Sequence, residues 1–264
     1  MASAHDDRPT MIAVSALACI LGDILHEGLG HGVTAWLSGA QRISVSTVAM
    51  QCDIDTRWIS ASGTVVNLLF AAIFWILLFK PRRYKPITHY FLVLAMAGNL
   101  FTGTGYFLFS GVFNFGDWAA VIQGWQPHWI WQLGLAVLGV ASYYASMLVV
   151  RATLRPFRSD ENPRRLRGLC WTPYFTDGIL AGLGGLLNPI GLFYVIASAL
   201  PSTLGANAGL MSLPSMMRQS NRSFGLSQEE QVGPIPRSPA WIATATVAGL
   251  LFIFVLGRGL TWSR

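Results

Sequence analysis

Six apolar segments, each long enough to cross a lipid bilayer, constrain this chain more than any other feature. They cover residues 11–37, 59–79, 87–110, 129–150, 174–200 and 240–256. Only 11% of the 264 residues are charged, whereas soluble domains carry about 25%. Because this leaves little room for a soluble domain, the sequence predicts an all-α, multi-pass membrane protein with about six transmembrane helices.

Two connecting segments have compositions of their own. Residues 41–50 alternate polar and apolar side chains and are rich in β-branched residues, so they predict a short β-strand or hairpin at the membrane surface after the first helix. Residues 201–239 are rich in Ser, Gly, Asn and Pro, which favours a flexible loop. The first apolar segment follows a polar start without the basic n-region of a cleaved signal, so we expect it to be retained.

The net charge of +6 is distributed as a topology signal, since the basic residues cluster in short segments between apolar ones. This pattern argues against nucleic acid as a partner. With six helices, thirteen of the 18 lysines and arginines fall on one side of the membrane and five on the other. The more basic side is expected to be cytoplasmic. The sequence therefore predicts that both termini are cytoplasmic.

The stretch from His26 to His31, H-E-G-L-G-H, places ionisable side chains inside the first apolar segment. Such residues are costly in a bilayer, and two histidines around Glu27 suggest a divalent metal with a general base beside it. The usual zinc helix is H-E-x-x-H, whereas these histidines are five residues apart. A π-bulge would bring i and i+5 together. Alternatively Glu27 and His31, at i and i+4, are the ligand pair and His26 supports them.

A catalytic zinc site usually takes three protein ligands and a water molecule. Asp117 follows the third apolar segment and emerges on the same side as the motif, which makes it the best third ligand. The positions of the other candidates along the chain suit a third ligand less well than the position of Asp117 does. These candidates are Asp53, Asp55, His128 and Asp177.

The order of these motifs resembles the site-2 protease family of intramembrane zinc metalloproteases. Residues 26–39, from H-E-G-L-G-H to S-G, look like the family's H-E-x-x-H helix with one residue more. The strand-like segment follows, and S-A-S-G-T-V-V-N, ending at Asn67, resembles the family's A-G-P-x-x-N helix. N-F-G-D, ending at Asp117, resembles its N…D-G segment. The resemblance divides the chain into a metalloprotease-like transmembrane core, 1–125, and additional transmembrane helices with the flexible loop, 126–264.

The resemblance implies that His26, His31 and Asp117 bind Zn²⁺, and that Glu27 takes a proton from the attacking water. Asn67 would position either the substrate or the residues that support the metal ligands. The implied partners are a membrane protein or peptide substrate and the lipid bilayer.

Two other functions fit the same residues. A non-proteolytic relative would keep the fold and act as a metal-binding or regulatory membrane protein; the extra residue in the motif favours it. A proton or metal transporter would use Asp23, Glu27 and His31 as a pathway. Against a transporter, these residues are concentrated in one apolar segment.

Overall fold

The computed structural model describes residues 5–79, 84–158, 162, 164–189, 191, 193, 195–219 and 231–263. Its helices are α1 (Arg8–Asp23), α2 (Val33–Leu37), α3 (Arg57–Leu78), α4 (Pro86–Phe113), α5 (Asp117–Val121), α6 (His128–Leu154), α7 (Arg165–Gly185), α8 (Leu200–Gln219) and α9 (Pro239–Phe254). A π-helix, Ile24–Gly32, joins α1 to α2, and a second one, Val195–Ala199, leads into α8. The strands are β1 (Arg42–Val45), β2 (Met50–Cys52) and β3 (Leu260–Ser263).

Five helical stretches are long and apolar enough to cross a membrane, which is consistent with the predicted membrane class. They are Arg8–Leu37, Arg57–Leu78, Pro86–Phe113, His128–Phe157 and Pro239–Arg258, and they match five of the six apolar segments. Large apolar side chains such as Val65, Leu69 and Ile76 on α3 are exposed. A bilayer would cover them.

The predicted span 174–200 is placed differently by the structure. Helix α7 begins at Arg165 and ends at Gly185, and the second π-helix begins only at Val195. Residues 190, 192 and 194 of the predicted span lie outside the described part of the chain.

Helix ends follow ordinary capping chemistry. The Asp7 carboxylate accepts the Thr10 N–H at 3.0 Å and caps α1. The Thr10 hydroxyl donates to the same carboxylate oxygen at 2.7 Å and is the main cause that holds the pKa of the Asp7 carboxyl below its usual value. Thr56 caps α3 through the Ile59 N–H, and α4 ends at Asn114 in the left-handed region with φ 50°.

The prediction of a loop over 201–239 is wrong for its first half, because α8 occupies Leu200–Gln219. The small residues that suggested a loop instead permit close helix packing. A Cβ on Gly209 would lie 3.0 Å from the Phe101 ring, and the Gly209 N–H donates to the Tyr143 hydroxyl at 2.8 Å. Residues 220–230 lie outside the described part, and 231–238 have no helix or strand.

The predicted surface hairpin is confirmed and is part of a larger sheet. Strands β1 and β2 are antiparallel, with Ser44 opposite Gln51. The C-terminal β3 adds to the other edge of β1, with Ile43 opposite Trp262, so the strand order is β2-β1-β3. The all-α class therefore needs this small sheet added.

The two ends of the helical bundle differ in chemistry. At the end we call the basic end, Arg165 binds the Asp6 carboxylate at 2.9 Å and the Val232 carbonyl at 2.8 Å, and the Asp7 N–H donates to the Ile235 carbonyl. The opposite end, the sheet end, carries β1, β2 and β3.

The N-terminal residues Asp6 and Asp7 lie at the basic end, whereas β3 at the C-terminus lies at the sheet end. The described ends of the chain therefore lie at opposite ends of the bundle, because α8 returns the chain to the basic end before α9 begins. The cytoplasmic location of both termini stays a prediction, which this placement of the two ends does not favour.

Candidate metal centre

The π-helix closes the five-residue gap in the H-E-x-x-x-H motif. His26 and His31 both lie in Ile24–Gly32, where the wider turn aligns residues i and i+5. Their Nε2 atoms are 3.2 Å apart, and both side chains are buried. The predicted π-bulge is therefore present, and the histidines that a regular α-helix would separate face one point.

Glycines let α3 lie directly against the two imidazoles. A Cβ on Gly30 would be 2.6 Å from the Gly63 Cα, and a Cβ on Gly63 would be 2.5 Å from His31 Nε2 and 2.7 Å from His26 Cε1. Neither position has space for a side chain. The π-helix and α3 thus meet backbone to backbone at the site.

Asp117 completes a triangle with the two histidines. Its Oδ2 lies 3.2 Å from His26 Nε2 and 3.3 Å from His31 Nε2. The chain reaches this position through a tight turn after α4, in which Asn114 has φ 50° and Gly116 has φ 86°. The carboxylate then stands at the first residue of α5.

The triangle has the size of a zinc ligand set. Zn–N and Zn–O bonds of about 2.0–2.1 Å in a tetrahedron separate the ligand atoms by about 3.3–3.4 Å. The three atoms here are 3.2, 3.2 and 3.3 Å apart. Asp117 Oδ2 is buried near both nitrogens, yet it makes no well-directed hydrogen bond with a described residue. Separations of this size between two imidazole nitrogens and a carboxylate oxygen fit three ligands of one metal ion.

Both imidazoles are oriented from behind. His26 Nδ1 lies 2.6 Å from Asn67 Oδ1, and His31 Nδ1 lies 2.6 Å from the Ile59 carbonyl oxygen. Both partners are acceptors, so they select the tautomer with the proton on Nδ1 and leave Nε2 free to bind a metal. Asn67 in turn donates to Asn99 Oδ1 at 2.7 Å. Asn67, fully buried, therefore lies behind a candidate ligand.

Glu27 lies beside the triangle and is held by the sheet. Its Oε2 accepts the Met50 N–H of β2 at 2.6 Å, and its Oε1 is 4.0 Å from His26 Nε2. His26, Glu27 and His31 by themselves form a group that could hold a metal ion. Because Asp117 is closer to both histidines than Glu27 is to His26, the distances favour Asp117 as the third ligand and leave Glu27 facing the site.

The electrostatics of Asp117 favour its charged form. Burial alone would raise the pKa of this carboxyl, but the positive charge of the His31 and His26 imidazoles, when they are protonated, outweighs burial. They hold the Asp117 pKa well below its ordinary value. The side chain is thus an anion at neutral pH, as a metal ligand must be.

Two cavities meet at the site. An outer cleft of about 700 Å³ at the sheet end is bordered by Glu27, His31, Asp117 and the β2 residues. An inner cavity of about 100 Å³ reaches into the bundle and is bordered by His26 and Glu27. Glu27 and Tyr106 border both. Tyr106 also stacks on His26, with ring centroids 4.8 Å apart.

The remaining predicted candidates have other partners. Asp53 accepts the N–H groups of Gln41 and Arg42 in the hairpin, which lower the pKa of its exposed carboxyl. His128 lies 2.9 Å from Asn114 Oδ1. Asp177 borders the inner cavity. None of these three belongs to the triangle.

Sequence reasoning missed several contributors to the site. Gly63 lies within the S-A-S-G-T-V-V-N motif but was given no role, and Tyr106 belongs to no motif. The Ile59 carbonyl and the Met50 N–H are backbone groups. For these contributors the sequence offered only the alternating pattern over residues 41–50. This pattern predicted a strand soon after the helix that carries the histidines. Comparison of the chain with known protein families, with curated proteins and with solved structures finds no match.

Proposed function

We propose that this chain is a membrane-embedded zinc metalloprotease that hydrolyses peptide bonds of membrane-embedded or membrane-proximal substrates. The observation that carries the proposal is the His26–His31–Asp117 triangle with Glu27 beside it. Two imidazoles and one carboxylate, with space left for water, are the ligand set of catalytic zinc in peptidases.

The donor chemistry supports zinc over other common ions. Two imidazole nitrogens disfavour Mg²⁺ and Ca²⁺, which take oxygen ligands. The compact triangle fits a small four-coordinate ion. When bound, zinc would bring the pKa of a water ligand to about 7 and polarise the substrate carbonyl.

Glu27 is suited to move the proton. The Met50 N–H holds Oε2, so Oε1 is directed toward the site and is free to accept a proton from the attacking water. The same carboxylic acid then returns the proton to the departing amine. Asn67 and the Ile59 carbonyl keep the two imidazoles in position during both steps.

The outer cleft is suited to an extended peptide. Met50, Gln51 and Cys52 border it, and β2 is the edge strand of the sheet. An unwound substrate segment that hydrogen-bonds along this edge would lie across the triangle. Proteolysis within a membrane requires such unwinding, because a helix hides its peptide bonds in internal hydrogen bonds.

The distribution of basic residues supports an orientation. Among the residues whose side chains the structure describes, the basic end has Arg8, Lys85, Arg151, Arg155, Arg158, Arg164, Arg165, Arg167 and Arg237, whereas the sheet end has Arg42, Arg57 and Arg258. The basic end is therefore proposed to be cytoplasmic, with the outer cleft on the other side.

The substitution Glu27→Gln separates an enzyme from a binding protein. Glutamine keeps the size of the side chain but cannot take a proton. We expect zinc to be retained and cleavage to fall by about 10²–10⁴-fold. Metal content is measured on purified protein, and cleavage is measured as the change in membrane-protein fragments between cells making the wild type and the variant.

Asp55→Asn is the matched control, because Asp55 is an exposed acid at the edge of the same cleft. It should keep zinc, because Asp55 does not belong to the triangle. Loss of zinc from Glu27→Gln would instead make Glu27 a ligand. Unchanged fragments with zinc retained would favour the non-proteolytic alternative.

A further inference from the structure

The inner cavity holds a set of oxygen atoms that the zinc site does not use. Asp177 Oδ1, Asn207 Oδ1, Thr47 Oγ1 and Asp23 Oδ2 are buried and have no hydrogen-bond partner among the described residues. All four residues border this cavity. Asp177, Asn207 and Thr47 are only 7%, 6% and 6% exposed. Buried polar atoms are normally satisfied, so these atoms require a partner.

Asp177 and Asn207 form the centre of this set. Asn207 Nδ2 donates to Asp177 Oδ2 at 3.1 Å, which leaves Asp177 Oδ1 and Asn207 Oδ1 without a hydrogen-bond partner among the described residues. The Cys19 thiol is close to Asp177 but is a weak donor. Among the described residues, no lysine or arginine borders the cavity. A buried carboxylate therefore stands there without a cationic side chain, which is unfavourable unless something else compensates its charge.

The free atoms are all oxygens, which is the donor set of a hard cation. At the centre of the set, Asp177 and Asn207 supply one carboxylate and one amide oxygen, and this pair suits a single positive charge. Ca²⁺ takes about 6–8 oxygen ligands, and Mg²⁺ needs near-ideal octahedral geometry. The cavity of about 100 Å³ has space for an ion together with water molecules that complete its ligands.

We propose that the inner cavity binds a monovalent cation of the size of Na⁺ between Asp177 and Asn207. Asp23, one helical turn after Cys19 at the end of α1, would face the ion through water. The site links α7, α8 and the first span, so an occupied site would stabilise the fold. This inference does not depend on the zinc proposal, because none of its ligands belongs to the triangle.

The test is thermal unfolding of the full-length, zinc-treated protein in detergent, with Na⁺ as the only variable. Choline chloride replaces NaCl at constant ionic strength. A ligand that binds only the folded state raises the unfolding midpoint, here by roughly 3 °C or more at saturation. The rise should be saturable with Na⁺, absent in Asp177→Asn and retained in Asp55→Asn, a control that removes an exposed acid outside the inner cavity.

Asn207→Ala provides a second variant in case Asp177→Asn does not fold. It keeps the carboxylate and removes one oxygen, so it should need at least about threefold more Na⁺ for half of the midpoint rise. Equal midpoints of the wild type in NaCl and choline chloride would overturn the proposal and leave water or a proton in the cavity. A rise with Ca²⁺ or Mg²⁺ but none with Na⁺ would also overturn it.

Discussion

At the scale of single residues, the hydrogen bond from His26 to Asn67 links the metal centre to the interior of the bundle. Asn67 accepts from His26 Nδ1 and donates to Asn99, which in turn donates to the Ala95 carbonyl. The chain of three buried groups determines which imidazole nitrogen faces the triangle. Residues behind metal ligands in this way typically affect metal affinity by about 10–100-fold.

Replacing Asn67 by alanine should therefore weaken zinc binding by about 10–100-fold, because His26 loses its orienting acceptor. Affinity is measured by competition with a chelator. Asn99→Ala is the matched control, since Asn99 is one hydrogen bond farther from His26. It should have a smaller effect. An Asn67→Ala variant with wild-type affinity would contradict the role given to Asn67.

At the scale of elements, the approach of the π-helix to α3 makes the site possible. Gly63 allows it, because any side chain there would occupy the space of the two imidazoles. The π-helix brings the two histidines next to each other, and the tight turn after α4 places Asp117 against them. Each of these irregular segments departs from ideal helical geometry, as functional segments often do.

Gly63→Ala should lower zinc content strongly and destabilise the fold by about 1–3 kcal/mol, since the added methyl group would displace His31 and His26. Gly134→Ala is the control, because a Cβ at Gly134 on α6 meets no atom within 4 Å. It should leave both quantities near wild type. Zinc content and the unfolding midpoint are measured on the purified variants. Normal zinc content in Gly63→Ala would mean that α3 does not limit the position of the imidazoles.

The sequence predicted those elements that local pattern encodes. Five apolar helices follow from the length of the apolar segments, and the hairpin follows from the alternation of polar and apolar residues. The grouping of His26, His31 and Asp117 was expected from the order of the motifs along the chain. Helix α8 was missed because its Ser, Gly and Pro content resembles a loop until neighbouring helices are present. Strand β3 was missed because its partner β1 is distant in sequence. The Met50 N–H and the Ile59 carbonyl were missed because backbone groups have no residue-type signal.

At the scale of the whole molecule, helix count and charge together determine orientation. Helix α8 returns the chain to the basic end, so the described ends of the chain lie at opposite ends of the bundle, and the basic residues gather at the N-terminal end. The proposed cytoplasmic side therefore contains Asp6, Arg165 and the segment before α9. The sheet and the outer cleft lie on the far side with the C-terminus.

Single cysteines, introduced after the native ones are replaced, should report this arrangement. Ser38→Cys and Ser263→Cys at the sheet end should react with an impermeant reagent from outside intact cells. Gln231→Cys at the basic end should react only after permeabilisation. Labels at 38 and 263 on different sides would contradict the fold, and complete reversal would contradict the orientation.

The most direct test of the central claim is the zinc content of the purified protein. After zinc is offered and excess is removed, elemental analysis should find close to one zinc per wild-type chain. His31→Ala and Asp117→Ala should each remove most of it, because each deletes one corner of the triangle. Asp55→Ala, outside the triangle, should retain it. A wild-type protein that stays free of metal, or variants at His31 and Asp117 that hold as much zinc as the wild type, would contradict the metal centre.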